Sequence, residues 1–381
     1  MGVWDELTGQ AEAIEIFTAA AAADATGSSM THAWLVTGPP GSGRSNLAYA
    51  FATALLSRSD DDLEATERQV AARTHPDLGV LSTERVIISI DEVRQLVTSS
   101  QFSPSVGRFR VMVIEDADRM SERTSNVLLK ALEEPPPRTV WILCAPSEAD
   151  LIPTIRSRVR SVRLRVPGVD EVAELIARRD GVDLATATRA AREAQSHIGM
   201  AHRLATNDEA RERRERTLQI ALAIRTVGDA VRAAGVLLEL AGDDAKAITE
   251  ERDAEERESA LRSLGIEPGG TIPPALRSQL KNLEEDQKRR ATRSLRDGLD
   301  RIMVDLLSLY RDILLIQLNA TIEPINLSIN SQLVTASLRS TSAQTLATMD
   351  AIAIARRRID GNVSPALALE AMLISTATSG T

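Results

Sequence analysis

Along the first 166 residues, short apolar runs alternate with stretches of helical spacing. The alanine-rich segment from Gln10 to Asp24 ends at Thr26-Gly27 and predicts a short helix with a stop. Ala33 to Thr37 (AWLVT) is a compact apolar run feeding the octapeptide GPPGSGRS at 38–45, and helical periodicity follows from Ser45 to Leu56. Residues 57–83 are polar and predict a surface excursion holding one helix. Asp91 reads as the N-cap of a helix to about Ser100. Arg108 to Glu115 is a second apolar strand ending in acids, and Ser121 caps a helix that stops at Pro135-Pro136-Pro137. Thr139 to Cys144 and Val159 to Val166 predict two more strands. Strands alternating with helices give an α/β domain over 1–166, a parallel sheet with helices on both faces.

Beyond Pro167-Gly168 the spacing is helical throughout. Asp170–Arg179, Leu184–Ala194 and Met200–Thr206 form a small helical module over 167–207. From Asp208 to the end, 208–381, an all-α domain with longer helices is expected. A charge-dense, insertion-like stretch from Asp243 to Arg290, broken at Pro268-Gly269-Gly270 and Pro273-Pro274, reads as a solvated hairpin or a partly mobile segment. Leu295, Leu299, Ile302, Leu306, Leu309, Ile313 and Ile316 then form one apolar seam, expected to lie in a bundle core.

Composition narrows the functional classes. The chain has 381 residues, 54 acidic against 45 basic, and a formal charge of −9. Such a chain binds DNA phosphate poorly by itself, so a nucleic-acid role would work through partners. Its single cysteine, Cys144, rules out a disulfide framework or a multi-cysteine zinc site. The opening MGVWDELTGQ lacks a secretory pattern and no apolar run approaches ~18 residues, so a cytoplasmic protein away from membranes is expected.

GPPGSGRS carries the candidate chemistry. In a P-loop, glycines let backbone N–H groups face phosphate, a lysine reaches the outer phosphates, and a Ser or Thr holds magnesium. Gly38, Gly41 and Gly43 supply the cradle here and Ser45 the hydroxyl, but Arg44 stands in the lysine's place with a longer planar fork. Hydrolysis also needs acids at a nearby strand end, and VMVIEDADRM offers Glu115, Asp116 and Asp118. Their order, Glu-Asp rather than Asp-Glu, shortens the second carboxylate by one methylene. Weak ATP binding, with magnesium if bound, is expected; turnover is not.

In order along the chain stand THAWL, GPPGSGRS, HPDL (75–78), IDEVR (90–94), IEDADRM, NVLLKALEEPPP (126–137) and TIRSR (154–158). Together they resemble bacterial DNA polymerase III clamp-loader subunits of the delta-prime type, over residues 1 to about 205. The resemblance implies an AAA+ P-loop module, a helical lid and an all-α oligomerisation collar, within a cytoplasmic, replisome-associated DNA-directed DNA polymerase holoenzyme. It implies ATP-hydrolysing subunits of the gamma/tau type and a delta subunit as partners, and through them the sliding clamp and primed DNA. In the family, the Ser-Arg pair presents its arginine to ATP bound by a neighbour; here the pair is Ser157-Arg158. Residues 57–74 lack the four zinc cysteines of the ATP-hydrolysing relatives, so no zinc is expected. Val159 follows the pair in place of cysteine, the polar sensor falls on Ala145-Pro146, and the lid arginine on Gly199 or Met200, with Arg203 a loose candidate. The chain therefore reads as a rigid member of the assembly rather than its motor. The competing readings are an autonomous AAA+ ATPase acting on DNA or protein, and a P-loop small-molecule kinase.

Overall fold

Strand β1 (Ala33–Thr37) is fully buried because it has a parallel neighbour on each edge and helices on each face. The computed structural model describes residues 3–4, 7–23, 29–39, 41–83, 87–263 and 277–378, with backbone alone for 60, 247–263, 277–290 and 377–378. The chain divides into two units, 1–206 and 207–381.

The first unit holds a parallel sheet of β1, β2 (Leu78–Leu81), β3 (Arg110–Ile114), β4 (Thr139–Ala145) and β5 (Arg160–Arg163), in the order β2-β3-β4-β1-β5. Side chains alternate across the pleat. Trp34, Val36, Val111, Val113, Ile142 and Val162 pack with α1 (Ala11–Ala22), α2 (Arg44–Leu56) and Val70 of α3 (Leu63–Ala71). Here Phe17, Trp34 and Phe51 meet with ring centroids 4.3–5.5 Å apart. On the other face Ala33, Leu35, Met112, Ile114, Trp141 and Leu143 pack with α4 (Ile90–Ser100), α5 (Glu122–Glu133) and the short α6 (Pro153–Arg156). Three more helices complete this unit: α7 (Val169–Asp180), α8 (Leu184–Glu193) and α9 (Ile198–Thr206).

The second unit is helical among its described residues: α10 (Asp208–Ala223), α11 (Val227–Ser263), α12 (Arg277–Gln317), α13 (Asn330–Ser337), α14 (Ser342–Asp360) and α15 (Pro365–Thr378). The expected seam runs along α12, where Leu299, Ile302, Leu306, Leu309 and Ile313 are buried and Leu295 and Ile316 flank the core. A parallel α/β layer followed by an all-helical region bears out the expected fold class. Among the described residues no helix is long and apolar enough to cross a membrane.

Three details differ from the sequence expectation. The stretch 57–83 holds a fifth strand, β2, beside its helix. It is short, and Gly79 interrupts its apolar pattern because a Cβ there would lie 2.7 Å from Met112 Sδ. The N-cap of α4 is Ser89, not Asp91: Ser89 Oγ accepts from Glu92 N (3.3 Å) while the Glu92 carboxylate accepts from Ser89 N (2.8 Å). Strand β5 is confined to Arg160–Arg163. The stretch 243–290 lies partly in two long helices, α11 and α12, and its two breaker clusters lie outside the described residues.

Asp77, from HPDL, fixes the chain entering β3. Fully buried, it accepts from Ser105 N (2.7 Å), Ser105 Oγ (2.9 Å), Val106 N (2.6 Å) and Gly107 N (2.7 Å), and Arg110 Nη1 lies 3.3 Å away. Burial pushes its carboxyl up, but the hydrogen bonds from Ser105, Gly107 and Val106 outweigh it and hold the group below the ordinary carboxylate value. A depressed folded-state value means stability fully present above the unfolded value near ~3.9 and lost as pH falls through the folded one. Asp77→Asn turns an amide NH₂ toward these donors and is expected to cost about 1–3 kcal/mol at neutral pH. Urea unfolding should show that gap narrowing below about pH 4; a gap constant with pH would contradict the ionised role.

Candidate phosphate loop and surface arginine

The phosphate loop is tied to both neighbours of β1. Thr37 O accepts from Leu164 N (2.7 Å), just past β5, and Gly38 N donates to Pro146 O (3.2 Å), just past β4. Gly41 (φ 78°) and Gly43 (φ 88°) turn through the left-handed region, and Gly43 is the N-cap of α2, with no side-chain cap. Buried Gln10 braces the loop: its Nε2 donates to Arg165 O (2.9 Å) and Ser42 O (3.4 Å), and its Oε1 accepts from Arg165 N (3.2 Å). Ser45 is the second residue of α2.

The remaining groups are engaged within the chain. Arg44 Nη1 folds back to donate to Gly38 O at 2.6 Å. At the end of β3, the Glu115 carboxylate accepts from Tyr49 of α2 and, at 2.9 Å, from Arg73 Nη2. Arg73 reaches it from a left-handed backbone (φ 56°), its guanidinium 5.8 Å from the centre of the Tyr49 ring. Burial first, and then the Glu115 hydrogen bond and charge, push the Tyr49 hydroxyl well above its ordinary value, keeping it a donor. Asp116 lies 3.9 Å from Arg119. Burial, reinforced by the Asp116 charge, raises the Asp118 carboxyl. Where a polar sensor was sought after β4, Ala145 and Pro146 offer only the carbonyl already bonded to Gly38. Cys144 is buried, its thiol pushed up to about 12 by burial, and it packs under Arg44. The backbone thus suits a phosphate anion, but Glu115, committed to a guanidinium, does not suit magnesium.

His197, which precedes α9, closes over this loop. A Cβ at Gly41 would stand 2.2 Å from His197 Cγ, while Ile198 N donates to Gly41 O (3.4 Å) and Met200 N to His197 Nδ1 (3.2 Å). Nothing in the sequence distinguishes His197 from the other three histidines, and Gln10, Tyr49 and Arg73 also carried no motif signal.

Ser157 and Arg158 are not brought to this loop. They lie between α6 and β5, and Arg160 at the start of β5 pairs in register with Trp34, whereas the loop begins after Thr37. Parallel strands share polarity, so Arg158 leaves the sheet at the end opposite the loop, roughly 10 Å or more away by strand rise. Its backbone is anchored by Arg158 N donating to Ile155 O (2.9 Å), with Ile155 buried in the core. Its Nε donates to Glu133 Oε1 (2.7 Å), and its Nη1 to Thr154 O (2.7 Å) and Ser157 Oγ (3.1 Å).

Gly41→Ala should destabilise the first unit, by about 1–3 kcal/mol for the left-handed backbone alone. The His197 ring adds to that cost, so in a His197→Ala background the penalty should fall toward the backbone share. Thermal unfolding of the four variants measures both. A neutral Gly41→Ala, or a penalty indifferent to His197, would contradict the packing described.

A family model described as "DNA polymerase III, delta subunit" matches residues 9–167. The DNA polymerase III subunit delta' of Pseudomonas aeruginosa is 36% identical over 154 residues, 39% of this chain and 47% of that protein. Its Escherichia coli counterpart is 31% identical over 143 residues, covering 36% and 43%. The DNA polymerase III subunit tau of Escherichia coli is 28% identical over 148 residues, covering 37% and 23%. The chain thus spans less than half the length of each of these relatives. Residues 9–167 are thus similar to the DNA polymerase III delta-subunit family, and over them the resemblance to its delta-prime type is borne out.

Proposed function

We propose that this chain is a clamp-loader subunit that assists ATP-dependent loading of a sliding clamp onto primed DNA by serving a neighbour's nucleotide rather than its own. The observation that carries this reading is the polarity of the sheet, which sets Arg158 at the end opposite the chain's own phosphate loop. A guanidinium so placed meets a γ-phosphate only on an adjacent subunit. There it stays ionised, offers a planar set of donors, and stabilises charge as the phosphate leaves. Ser157, hydrogen-bonded to Thr154 O at 3.1 Å, holds the turn that carries it.

The partners are then ATP-hydrolysing subunits of the gamma/tau type and a delta subunit, with clamp and DNA reached through them. Residues 167–207 would be the lid and 208–381 the collar that joins the subunits. Gly38, Gly41, Gly43, Arg44 and Ser45 would hold ATP weakly at most, and Glu115 and Asp116 give little support for magnesium. The intact backbone cradle favours one other reading, an autonomous AAA+ ATPase, which requires the isolated chain to turn over ATP in a Ser45-dependent way.

Arg158→Ala should leave folding and assembly unchanged and lower the clamp- and DNA-stimulated ATP turnover of the reconstituted complex. An arginine supplied in trans is worth roughly 10³–10⁵ in rate in GTPase–activator pairs; a complex whose other sites keep their own should lose less, about tenfold. Arg44→Ala should change turnover by less than about twofold, since it removes a group already bonded to its own loop. The reverse ranking would overturn the reading.

A further inference from the structure

Every nitrogen of the Arg158 guanidinium is occupied within its own chain. Nε donates to Glu133 Oε1 at 2.7 Å, the Nη2 group forms an ion pair with the same carboxylate, and Nη1 donates to Thr154 O and Ser157 Oγ. Both partners remain reachable from solvent, with side chains 32% (Arg158) and 46% (Glu133) exposed. Glu133 is the last residue of α5, and Pro135-Pro136-Pro137 follow it. A carboxylate at a helix C-terminus faces the negative end of the helix dipole, so a cation beside it relieves a local cost. The backbone of Arg158 is fixed on the core through Ile155, so only its side chain can move.

We propose that Glu133 is a positioning residue that holds Arg158 retracted until a neighbouring phosphate takes its place. This rests on the in-trans reading above and adds a named competitor to it. With four of its five N–H donors engaged, this guanidinium cannot bind a phosphate bidentately without surrendering some of them. An exposed carboxylate pair is weak, whereas a phosphate accepts the same fork bidentately, so the exchange runs toward the phosphate once a partner is docked. Undocked, the retracted arginine is shielded from adventitious anions. The latch therefore separates idle from engaged arginine without any change of backbone.

The test uses the reconstituted complex with Glu133→Gln, Glu133→Asp, Arg158→Ala and the Glu133→Gln/Arg158→Ala double variant. An exposed ion pair is worth up to about fivefold in an equilibrium constant. Glu133→Gln should therefore raise ATP turnover without clamp or DNA by about two- to fivefold, leave the fully stimulated rate within about twofold, and be matched less by Glu133→Asp. The double variant should equal Arg158→Ala alone, because the latch has no other target. In the isolated chain, the Arg158 Nε–H nitrogen signal should lose its exchange protection in Glu133→Gln. A Glu133→Gln complex that is unchanged, or slowed as Arg158→Ala slows it, would overturn the latch while leaving the in-trans reading standing. An Arg158→Ala complex with undiminished turnover would overturn both.

Discussion

Strand β1 hydrogen-bonds to β4 along one edge and to β5 along the other, and this double pairing fixes where the candidate loop and Arg158 lie. Because the strands are parallel, their C-terminal ends gather on one side. There Thr37 and Gly38 are held by Leu164 and Pro146, which fixes where the loop before α2 begins. The same register sends the start of β5, and with it Arg158, to the other side. Loop and arginine are separated by the geometry of one sheet.

The two ends differ in how their polar groups are spent. At the loop, Arg44 is turned onto Gly38, Glu115 is held by Tyr49 and Arg73, and His197 lies against Gly41. Each of these contacts is internal, and the first two use groups that a hydrolytic site would direct at nucleotide or metal. At the other end the partners of Arg158 are a half-exposed carboxylate, a hydroxyl and one carbonyl, which solvent or an anion can replace. The carboxylates differ in exposure: the Glu115 side chain is 15% exposed and that of Glu133 46%, so solvent or an anion reaches the second pair more readily.

Much of this was legible in the sequence, and the physical reasons for success and failure are specific. Strands β1, β3 and β4 are buried on both faces, so they read as unbroken apolar runs. The α12 seam was legible because one buried stripe on a long helix imposes its spacing. Strand β2 was not, being four residues at a sheet edge with a glycine that close packing requires. Asp77 gave no hint of its role, since its partners lie 28 to 33 residues on and are mostly backbone amides. Arg73 depends on a positive φ that no residue preference signals, and its target Glu115 is 42 residues away. Glu133 sat within a quoted motif, LLKALEEPPP, but its pairing with Arg158 is set by where α5 ends relative to α6. Motifs revealed which groups were present; only tertiary contacts revealed what each of them is bonded to.

The most direct measurement is the structure of the reconstituted loader by electron cryomicroscopy with a non-hydrolysable ATP analogue. The account predicts Arg158 released from Glu133, with a guanidinium nitrogen within ~3 Å of a γ-phosphate oxygen on the adjacent subunit. Arg158 still paired with Glu133, with the analogue and magnesium seated in this chain's own loop, would contradict it.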